Sequence, residues 1–364
     1  MELKYLRDAG SAFAFESSPV DYERCDAGHI NDTYFVNCGE GFPRYILQRV
    51  NTSIFKNPIE LMANIKGVCS HVAKKVSAVG GNPDREVRKI IETKDGGDYY
   101  IDADGGYWRA YLCIDDVVSY NIPDSMELFY KSGVAFGKFF NQLADYPAET
   151  LFETIPNFHN SVSRMNDFKA AVKEDKLGRV AEMKDEIEFA LSKADKCSYI
   201  LNGLKEGRMR LCVTHNDTKL NNVLMDAETG DGVCIIDLDT VMPGSVLYDF
   251  GDSIRFGASS APEDETDLSK VYMRLDMFEA YVKGFVGELH DSMTPDEILG
   301  LPMGAYLMTL ETGIRFLGDY LNGDVYFHIH YPEQNRDRAR NQLKLIADMD
   351  EKLDAMTEIV KKYL

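Results

Sequence analysis

The sequence predicts an α+β fold of two lobes, with a β-rich lobe over residues 1–114 and a mainly helical lobe over residues 115–364. Strand-like segments bounded by glycine-containing turns are concentrated in the first part of the chain. After about residue 115 the segments become longer and richer in charge, and their apolar residues recur at helical spacing. Apolar residues make up 45% of the 364 residues, which is enough for a large core and argues against disorder.

The N-terminal lobe is predicted to contain short strands and one long helix. Glycine-containing turns at 95–98 and 104–106 are typical of β-hairpins. Asn57 is a favourable N-cap and Pro58 a favourable first helical residue, and the helical pattern then continues to Gly80. The candidate strands lie at residues 21–27, 32–38, 44–50, 87–93, 98–102 and 107–113.

The C-terminal lobe is predicted to be helical apart from one short strand and one hairpin. The strand, residues 211–213, leads into the polar segment 215–222. The hairpin pairs residues 222–225 with residues 233–236 across a turn at 228–232. The helix-like segments lie at residues 125–145, at residues 165–205 and from about residue 268 to the C-terminus.

The composition argues against several classes of function. A net charge of −20 disfavours binding to nucleic acid, because such a surface repels a phosphate backbone. The seven cysteines include no Cys-x-x-Cys pair and no cluster with zinc spacing, which fits a reducing, cytoplasmic compartment. The N-terminus lacks the apolar core of a secretion signal, and the longest uncharged stretch, residues 298–310, is too short to span a bilayer. We expect a small-molecule partner, no nucleic acid and no membrane; the sequence does not determine the oligomeric state.

A run of polar residues separates two apolar strands and contains His215, Asp217, Lys219 and Asn222. Phosphoryl transfer requires a carboxylate at the acceptor hydroxyl, ligands for Mg²⁺ and positive charge near the transferred group. Asp217, Lys219 and Asn222 supply these groups, and the interval of five residues from Asp217 to Asn222 matches the catalytic loop of kinases. We therefore predict that Asp217 and Lys219 are catalytic. Taken alone, the segment also fits a polar turn.

A second acidic position strengthens this interpretation. Asp237 ends an apolar strand twenty residues after Asp217, where a kinase places a carboxylate ligand of Mg²⁺. We predict that Asn222 and Asp237 bind the metal ion and, through it, the nucleotide. Asp239 is interpreted as either a second ligand or a support. An ordinary surface strand end would more often carry a single charge.

Asp249-Phe250-Gly251 spells the Asp-Phe-Gly signature of protein kinases, but Asp249 lies thirty-two residues after Asp217. No strand that could pair with the catalytic hairpin is evident around it. We therefore predict that the match is coincidental and that Asp249 braces the catalytic loop.

These segments resemble the aminoglycoside phosphotransferase and choline kinase superfamily, and within it the N-acetylhexosamine 1-kinases. The resemblance extends from about residue 20 to about residue 345. It rests on the segments 215–222, 237–244, 248–252, 28–34 and 47–51. It implies a protein-kinase-like bilobal fold, with residues 1–114 as the nucleotide-binding lobe and residues 115–364 as the catalytic and substrate-binding lobe. It also implies ATP and Mg²⁺ as cofactors and the anomeric hydroxyl of GlcNAc or GalNAc as the acceptor.

Carried over to this sequence, the resemblance implies that Asp217 is the base at the acceptor hydroxyl. The metal ligands that it implies are Asn222 and Asp237. The further sugar contacts that it implies are His29, Arg315 and Tyr326. A guanidinium, an imidazole and a phenol suit hydroxyl and acetamide groups. Each of the three also has an ordinary structural explanation. Arg315 could form an ion pair on a helix surface, His29 could stabilise a turn, and Tyr326 could be a core residue.

The sequence departs from protein kinases at several positions. No glycine-rich phosphate loop is present, and Asn216 replaces the arginine of the catalytic loop, so constitutive activity is expected. The lysine of the third strand is absent; we predict that Arg49 binds the nucleotide phosphates instead, although a solvated strand-edge arginine fits nearly as well. Glu60, the one glutamate of the predicted helix, is explained by its place three residues after the N-cap.

Two other functions stay open at the level of the sequence. Another kinase of the superfamily would phosphorylate an amino alcohol, a homoserine-like substrate or an aminoglycoside, since Asp319, Asp324 and the net charge of −20 suit a cationic acceptor. A catalytically inactive nucleotide-binding protein is disfavoured, because Asp217, Asn222 and Asp237 are all present.

Overall fold

Residues 3–25 and 30–364, which a computed structural model describes, form sheets mainly near the N-terminus and helices mainly toward the C-terminus. The strands are β1 (Asp21–Cys25), β2 (Asp32–Asn37), β3 (Tyr45–Arg49), β4 (Ile90–Ile91), β5 (Tyr100–Ile101), β6 (Tyr107–Leu112), β7 (Val117–Val118), β8 (Cys212–Thr214), β9 (Val223–Asp226), β10 (Gly232–Ile235) and β11 (Met242–Gly244). The helices are α1 (Leu3–Ala12), α2 (Pro58–Ala78), α3 (Pro83–Glu86), α4 (Met126–Gln142), α5 (Ser161–Glu174), α6 (Lys184–Leu191), α7 (Tyr199–Lys205), α8 (Val246–Gly257), α9 (Leu275–Leu289), α10 (Pro295–Asn322) and α11 (Gln334–Lys361). The predicted α+β class and the order of its two parts are therefore confirmed.

The N-terminal strands form one antiparallel sheet within the described residues, in the order β1-β2-β3-β6-β4, with β5 paired to β6. The predicted turn at 104–106 joins β5 to β6, and Gly105 there has a φ of 80°, which favours glycine. The strands predicted at 87–93 and 98–102 are shorter than expected, because β4 and β5 contain only two residues each. The sheet is therefore held chiefly by its four longer strands.

The two faces of this sheet pack against different helices. Side chains alternate between the faces along a strand, and directly paired residues share a face. Trp108 lies on the outer face, which packs against α1, and its partner Arg49 shares that face. The inner face packs against α2 and carries Gln48 with its partner Arg109. Arg109 and Arg49 therefore lie on opposite sides of the sheet.

Helix α2 begins as its sequence predicts and is fastened to the C-terminal part of the chain. The side chain of Asn57 accepts a hydrogen bond from the backbone N–H of Glu60 at 3.3 Å, and Pro58 is the first helical residue. The amide of buried Asn64 donates to the carbonyl oxygens of Phe152 at 2.8 Å and Val241 at 3.0 Å. One polar side chain therefore joins the helix to two C-terminal segments.

The chain leaves the first sheet at Leu112 and enters a second sheet at Val117. There β7 pairs with β9, which forms the predicted hairpin with β10. β11, which the sequence did not predict, pairs with β8 and brings residues 242–244 beside the start of residues 215–222, the predicted catalytic segment. The lobe boundary at residue 114 stays a prediction, and it falls within this crossing.

Most of the remaining chain packs as helices around one core. α4 packs against α9, and α10 packs against α5, α8 and α11. The segment predicted as helical over residues 165–205 is interrupted, because turns separate α5, α6 and α7 and Asp175 has a φ of 44°. The main hydrophobic cluster extends from Ile46 in β3 to Val360 in α11. None of the helices in residues 3–25 and 30–364 combines the length and apolarity that crossing a membrane requires.

Candidate active site

The catalytic segment lies between β8 and β9 and turns sharply at Asn216. Asn216 has a φ of 64°, in the left-handed region that asparagine tolerates better than most residues. Its side-chain amide donates to the carbonyl oxygen of Thr240 at 2.8 Å. The asparagine that stands where protein kinases have arginine therefore shapes the loop itself.

Asp217 is surrounded by groups that favour its charged form. The ammonium group of Lys219 lies 2.7 Å from Oδ1, and the amide of Asn222 donates to Oδ2 at 3.2 Å and to the carbonyl oxygen of Asp217 at 2.8 Å. Burial alone would raise the pKa of Asp217, but Lys219 and the Asn222 amide outweigh it, and the pKa is lowered. An ionised carboxylate can accept the proton of an acceptor hydroxyl. The structure thus brings the predicted Asp217, Lys219 and Asn222 together.

His215 is buried beneath the loop as a neutral imidazole. Burial lowers its pKa. Its Nε2 donates to the carbonyl oxygen of Ile236 at 2.9 Å, and its Nδ1 accepts from the backbone N–H of Asp217 at 3.3 Å. These two bonds require the Nε2–H tautomer. Both ring nitrogens are therefore used to join the loop to the end of β10.

Asp249, in the first turn of α8, braces the same loop. Its carboxylate accepts hydrogen bonds from the backbone N–H groups of His215 at 3.0 Å and Asn216 at 2.6 Å. Asp252, one helical turn later, accepts from the backbone N–H of Thr218 at 3.0 Å. These bonds confirm the prediction that Asp249 braces the loop. The Asp-Phe-Gly letters lie in a helix and not at the end of a paired strand, as expected of a coincidental match.

Asn222 and Asp237, the predicted metal ligands, lie on adjacent segments, because the backbone N–H of Ile236 donates to the carbonyl oxygen of Asn222 at 2.9 Å. The amide N–H groups of Asn222 donate to Asp217, so its Oδ1 is the atom that could coordinate a metal ion. Asp237 is exposed, although neighbouring protein groups exclude part of its solvent. This partial desolvation, followed by the negative charges of Asp239 and Asp217, raises the pKa of Asp237 to about 7. An amide oxygen and a carboxylate suit Mg²⁺, and a divalent cation would offset the repulsion between the carboxylates.

The contacts of Asp239 favour a support over a second ligand, because both of its oxygens face protein groups. Oδ1 forms an ion pair with Nη1 of Arg109 at 2.6 Å, and Oδ2 accepts hydrogen bonds from Nη2 of Arg109 at 2.9 Å and from the amide of Asn31 at 2.7 Å. The side chains of Arg109 and Asp239 are only 2% and 5% exposed. Burial alone would lower the pKa of Arg109, but Asp239 outweighs it, and the pKa is raised. Arg109 therefore stays charged inside the protein.

Arg315 and Tyr326, both predicted to contact the substrate, lie close together near the C-terminal end of α10. The guanidinium carbon of Arg315 lies 5.8, 5.7 and 5.3 Å from the ring centres of Phe158, Tyr326 and Phe327. Tyr326 is 67% exposed, whereas Arg315 is half-buried. A guanidinium among aromatic rings offers both hydrogen-bond donors and apolar faces.

Asp319 and Asp324 hold the segment that carries Tyr326. Asp319 accepts hydrogen bonds from three successive backbone N–H groups in residues 325–327, at 2.9 to 3.0 Å. Asp324 forms an ion pair with Arg179 at 3.0 Å. Both carboxylates are therefore used by the protein itself.

A buried histidine and glutamate connect this region to the catalytic loop. Nδ1 of His159 lies 2.9 Å from Oε1 of Glu311, and its Nε2 donates to the carbonyl oxygen of Asn216 at 3.1 Å. Burial would lower the pKa of His159, but Glu311 outweighs it, and the pKa is raised. Glu311 also accepts from the hydroxyl of Ser161 at 2.8 Å and lies one helical turn before Arg315. The segment around Arg315 is thus linked to the residue that precedes Asp217.

A comparison with known families bears directly on this site. Residues 21–272 match the phosphotransferase enzyme family. The chain belongs to the phosphotransferase enzyme family. The match spans the catalytic segment, both metal-ligand candidates and Asp249, and it confirms membership of the aminoglycoside phosphotransferase and choline kinase superfamily.

Solved structures of similar fold include several kinases. The structure of a microcompartment-associated aminopropanol kinase shares 16% identity, with 98% of this chain and 99% of that chain covered and a TM-score of 0.57. An aminoglycoside phosphotransferase from Alicyclobacillus acidocaldarius shares 11% identity over 100% of this chain and 97% of that chain, with a TM-score of 0.60. An ethanolamine kinase from Plasmodium vivax shares 14% identity over 88% and 82%, with a TM-score of 0.55. At these identities the likeness establishes the kinase-like bilobal fold of this phosphotransferase.

One predicted site residue, Arg49, is not brought to the site of this phosphotransferase, and a second, His29, is not among the described residues. Arg49 lies on the outer face of the sheet, where its Nε is 3.7 Å from Oδ2 of Asp102, because strand alternation turns it away from the inner face. Its phosphate-binding role stays a prediction that this placement does not support. His29 falls within residues 26–29, which lie outside the described residues.

A cation on the inner face of the phosphotransferase's sheet is Arg109, which the sequence interpretation missed. A signal was present, because Arg109 is a lone charge inside the apolar segment 107–112, and charged residues are rarely fully buried without a partner. The partner Asp239 lies 130 residues away, so the pairing itself could not be read from the sequence. His159 and Glu311 were missed for the same reason, being 152 residues apart.

Proposed function

We propose that this phosphotransferase is an ATP-dependent kinase that phosphorylates the anomeric hydroxyl of N-acetylhexosamines, GlcNAc or GalNAc, to the 1-phosphate. The proposal names a small sugar as its partner and the cytoplasm as its compartment. The absence of disulfides among the seven cysteines, all of which lie in the described residues, supports that compartment.

The observation that carries the proposal is the character of the region around Arg315. A cationic acceptor would require carboxylates that are free to bind it. Asp319 and Asp324 are instead occupied by backbone N–H groups and by Arg179, and Glu311 is occupied by His159. The half-buried guanidinium of Arg315 lies there beside the exposed phenol of Tyr326, and these groups suit the hydroxyl and acetamide groups of a neutral sugar.

The reaction that we propose is a direct in-line transfer. Asp217 takes the proton from the anomeric hydroxyl as its oxygen forms a bond to the γ-phosphorus, and the bond from that phosphorus to the β–γ bridging oxygen breaks, releasing ADP. Lys219 lies beside Asp217 and offsets charge on the transferred group. Asn222 and Asp237 would hold Mg²⁺, which neutralises charge on the phosphates.

A panel of acceptors tests the proposal. The purified protein is incubated with ATP, Mg²⁺ and one of GlcNAc, GalNAc, choline, ethanolamine, homoserine or kanamycin, and ADP release is measured. We expect turnover with the two hexosamines and a product whose phosphorus couples to the anomeric proton in nuclear magnetic resonance spectra. Turnover confined to the amine-bearing acceptors would contradict the proposal.

Replacement of Asp217 tests the assignment of the base. Asp217→Asn keeps the size and one oxygen but cannot take a proton, so we expect kcat to fall by about 10²–10⁴-fold. Nucleotide affinity, measured by isothermal titration calorimetry, should change less than about threefold, since Asp217 is not placed on the nucleotide. Asp231→Asn, in the exposed turn between β9 and β10, serves as the control. Near-normal kcat in Asp217→Asn would rule out this base.

A further inference from the structure

We propose that Arg109, Asp239 and Asn31 form an interlobe clamp that positions the metal-binding segment, so that Arg109 acts as a positioning residue for Asp237. This inference takes one element from the proposed function, namely that Asp237 binds the metal ion. Arg109 and Asn31 belong to the N-terminal sheet and its connecting segment, whereas Asp239 belongs to the C-terminal part. A single buried carboxylate thus joins the two lobes beside the site.

The guanidinium group of Arg109 is directed at protein atoms, and its side chain is only 2% exposed. Its Nη1 and Nη2 both engage Asp239, and its Nε donates to the side-chain oxygen of Gln48 at 3.0 Å. Guanidinium groups bind such planar partners with a fixed fork of donors. Because all three nitrogens are directed to protein atoms in a nearly closed environment, the side chain holds the segment rather than the ligand.

Asp237 lies between two anchors that fix the backbone on either side of it. Before it, Ile236 is hydrogen-bonded to Asn222 across the hairpin at 2.9 Å. After it, a single short turn leads to Asp239 in the clamp. Asp237 itself has a φ of 59°, a left-handed conformation that persists only where the surrounding structure imposes it. The clamp is therefore a side-chain attachment on the C-terminal side of Asp237, as the bond from His215 to Ile236 is on its N-terminal side, and together they can hold this conformation.

Asn31 extends the clamp into the second N-terminal strand region. Its amide donates to Asp239, and its Oδ1 accepts from the backbone N–H of Asn51 at 2.9 Å. The segments before β2 and after β3 are therefore tied to the same carboxylate as β6. Movement of the sheet relative to the C-terminal part would displace Asp239, and with it Asp237.

The experiment compares Arg109→Met with Arg85→Met, which removes the cation of another ion pair between the lobes. Arg85 of α3 pairs with Asp226 of β9 at 2.7 Å, but it lies outside the metal segment. Binding of ADP is measured by calorimetry with EDTA and over a series of Mg²⁺ concentrations. For Arg109→Met we expect the Mg²⁺ concentration that gives half-maximal ADP binding to rise by about 10–100-fold, as when residues that orient metal ligands are removed. For Arg85→Met we expect no change in that concentration.

A paired replacement separates positioning from folding. Arg109→Met leaves the Asp239 carboxylate buried and unpaired, so this variant is expected to lose stability as well. Arg109→Met/Asp239→Leu removes both charges, and its melting temperature should return toward that of the wild type. Its Mg²⁺ dependence should stay shifted, because the fork that held the segment is still missing.

Three outcomes would overturn the clamp. Weaker ADP binding by Arg109→Met in EDTA would make Arg109 a direct phosphate ligand. The same Mg²⁺ response in Arg109→Met and Arg85→Met would mean that the Arg109–Asp239 pair contributes only to stability. A normal Mg²⁺ dependence in the paired replacement would mean the same. A wild-type protein that binds ADP with Mg²⁺ but phosphorylates no hexosamine would instead contradict the proposed function and leave this comparison intact.

Discussion

Asp249 accepts two short hydrogen bonds from backbone N–H groups, and yet its pKa is raised to about 7, because burial outweighs the two donors. An unfolded aspartate has a pKa of about 3.9. The folded protein therefore binds this proton more tightly than the unfolded chain does. The carboxyl contributes stability that is fully present below about pH 4 and is lost as the pH rises through about 7.

Unfolding measurements with Asp249→Asn test this sign. The variant lacks the titration, so its free energy of unfolding should rise relative to that of the wild type between pH 4 and pH 8. The full difference in pKa corresponds to a change on the order of 4 kcal/mol. Urea denaturation across this range provides the measurement, with Asp231→Asn as a control. Parallel curves for Asp249→Asn and the wild type would show that burial does not control this carboxyl.

At single positions, the sequence predicted residues whose role depends on near neighbours. Asn57 caps α2, and Lys219 and Asn222 meet Asp217, because each contact spans only a few residues. Long-range partners could not be predicted in this way. The choice between a ligand and a support at Asp239 depended on Arg109, which only the folded sheet brings within reach.

Two helix pairs in the C-terminal part cross where glycine allows close approach. A Cβ added to Gly133 of α4 would lie 2.8 Å from the carbonyl oxygen of Tyr281 in α9, and one added to Gly284 of α9 would collide with the carbonyl oxygen of Tyr130. Helices α8 and α10 meet similarly through Gly251 and Gly304. These crossings fix the distance from α9 and α10 to the elements that carry the catalytic loop.

Alanine substitutions on one helix test this packing. Gly284→Ala should lower the free energy of unfolding by about 1–3 kcal/mol, because the added methyl group overpacks a backbone contact. Gly287→Ala is a matched control on α9, since a Cβ there meets no atom within 4 Å. Because alanine has a higher helix propensity than glycine, Gly287→Ala should leave the free energy of unfolding unchanged or raise it by up to about 1 kcal/mol. Equal effects in thermal or urea unfolding would contradict the proposed close crossing.

The segment 325–327 is attached to α10 through Asp319, and under the proposed function this attachment should matter for the acceptor alone. Asp319→Asn replaces one accepting oxygen by a donor group, so it cannot accept from all three backbone N–H groups. We expect the KM for GlcNAc to rise about tenfold while the KM for ATP changes little. Asp296→Asn, exposed in the first turn of α10, is the control. An equal rise in both KM values would indicate a general loss of structure.

Elements with a clear local pattern were predicted, and those without one were not. The hairpins β5–β6 and β9–β10 and helix α2 were predicted because turn glycines and a cap mark their ends. The hairpin expected across the turn at 95–98 was wrong, because β4 and β5 each pair with β6 and not with each other. Helix α8 was missed; it is only twelve residues long and is buried on nearly every side. Strand β11 contains Pro243 and only three residues, so its pairing with β8 follows from the tertiary structure.

On the scale of the whole molecule, one hydrophobic cluster extends through both lobes, and polar contacts at Asn64, Arg85 and Arg109 also cross between them. The sheet's inner face and α2 therefore share a core with the C-terminal helices. We expect the lobes to unfold together rather than as separate units.

Differential scanning calorimetry tests this expectation. One transition should appear, with a calorimetric enthalpy equal to the van't Hoff enthalpy. A fragment of residues 1–114 should lack a cooperative transition, because residues such as Ile46 and Val68 would lose part of their cluster. Two separated transitions in the full chain, or a folded fragment, would show that the lobes are independent.

The pairing of Arg109 with Asp239 also constrains how this chain can change during evolution. A substitution at either position alone leaves a buried charge without its counterion, which costs about 3–5 kcal/mol. A lineage that loses the arginine must therefore replace the aspartate almost at once, or first acquire a compensating mutation elsewhere. We expect positions 109 and 239 to covary among descendants of this sequence, with Arg–Asp retained together or lost together.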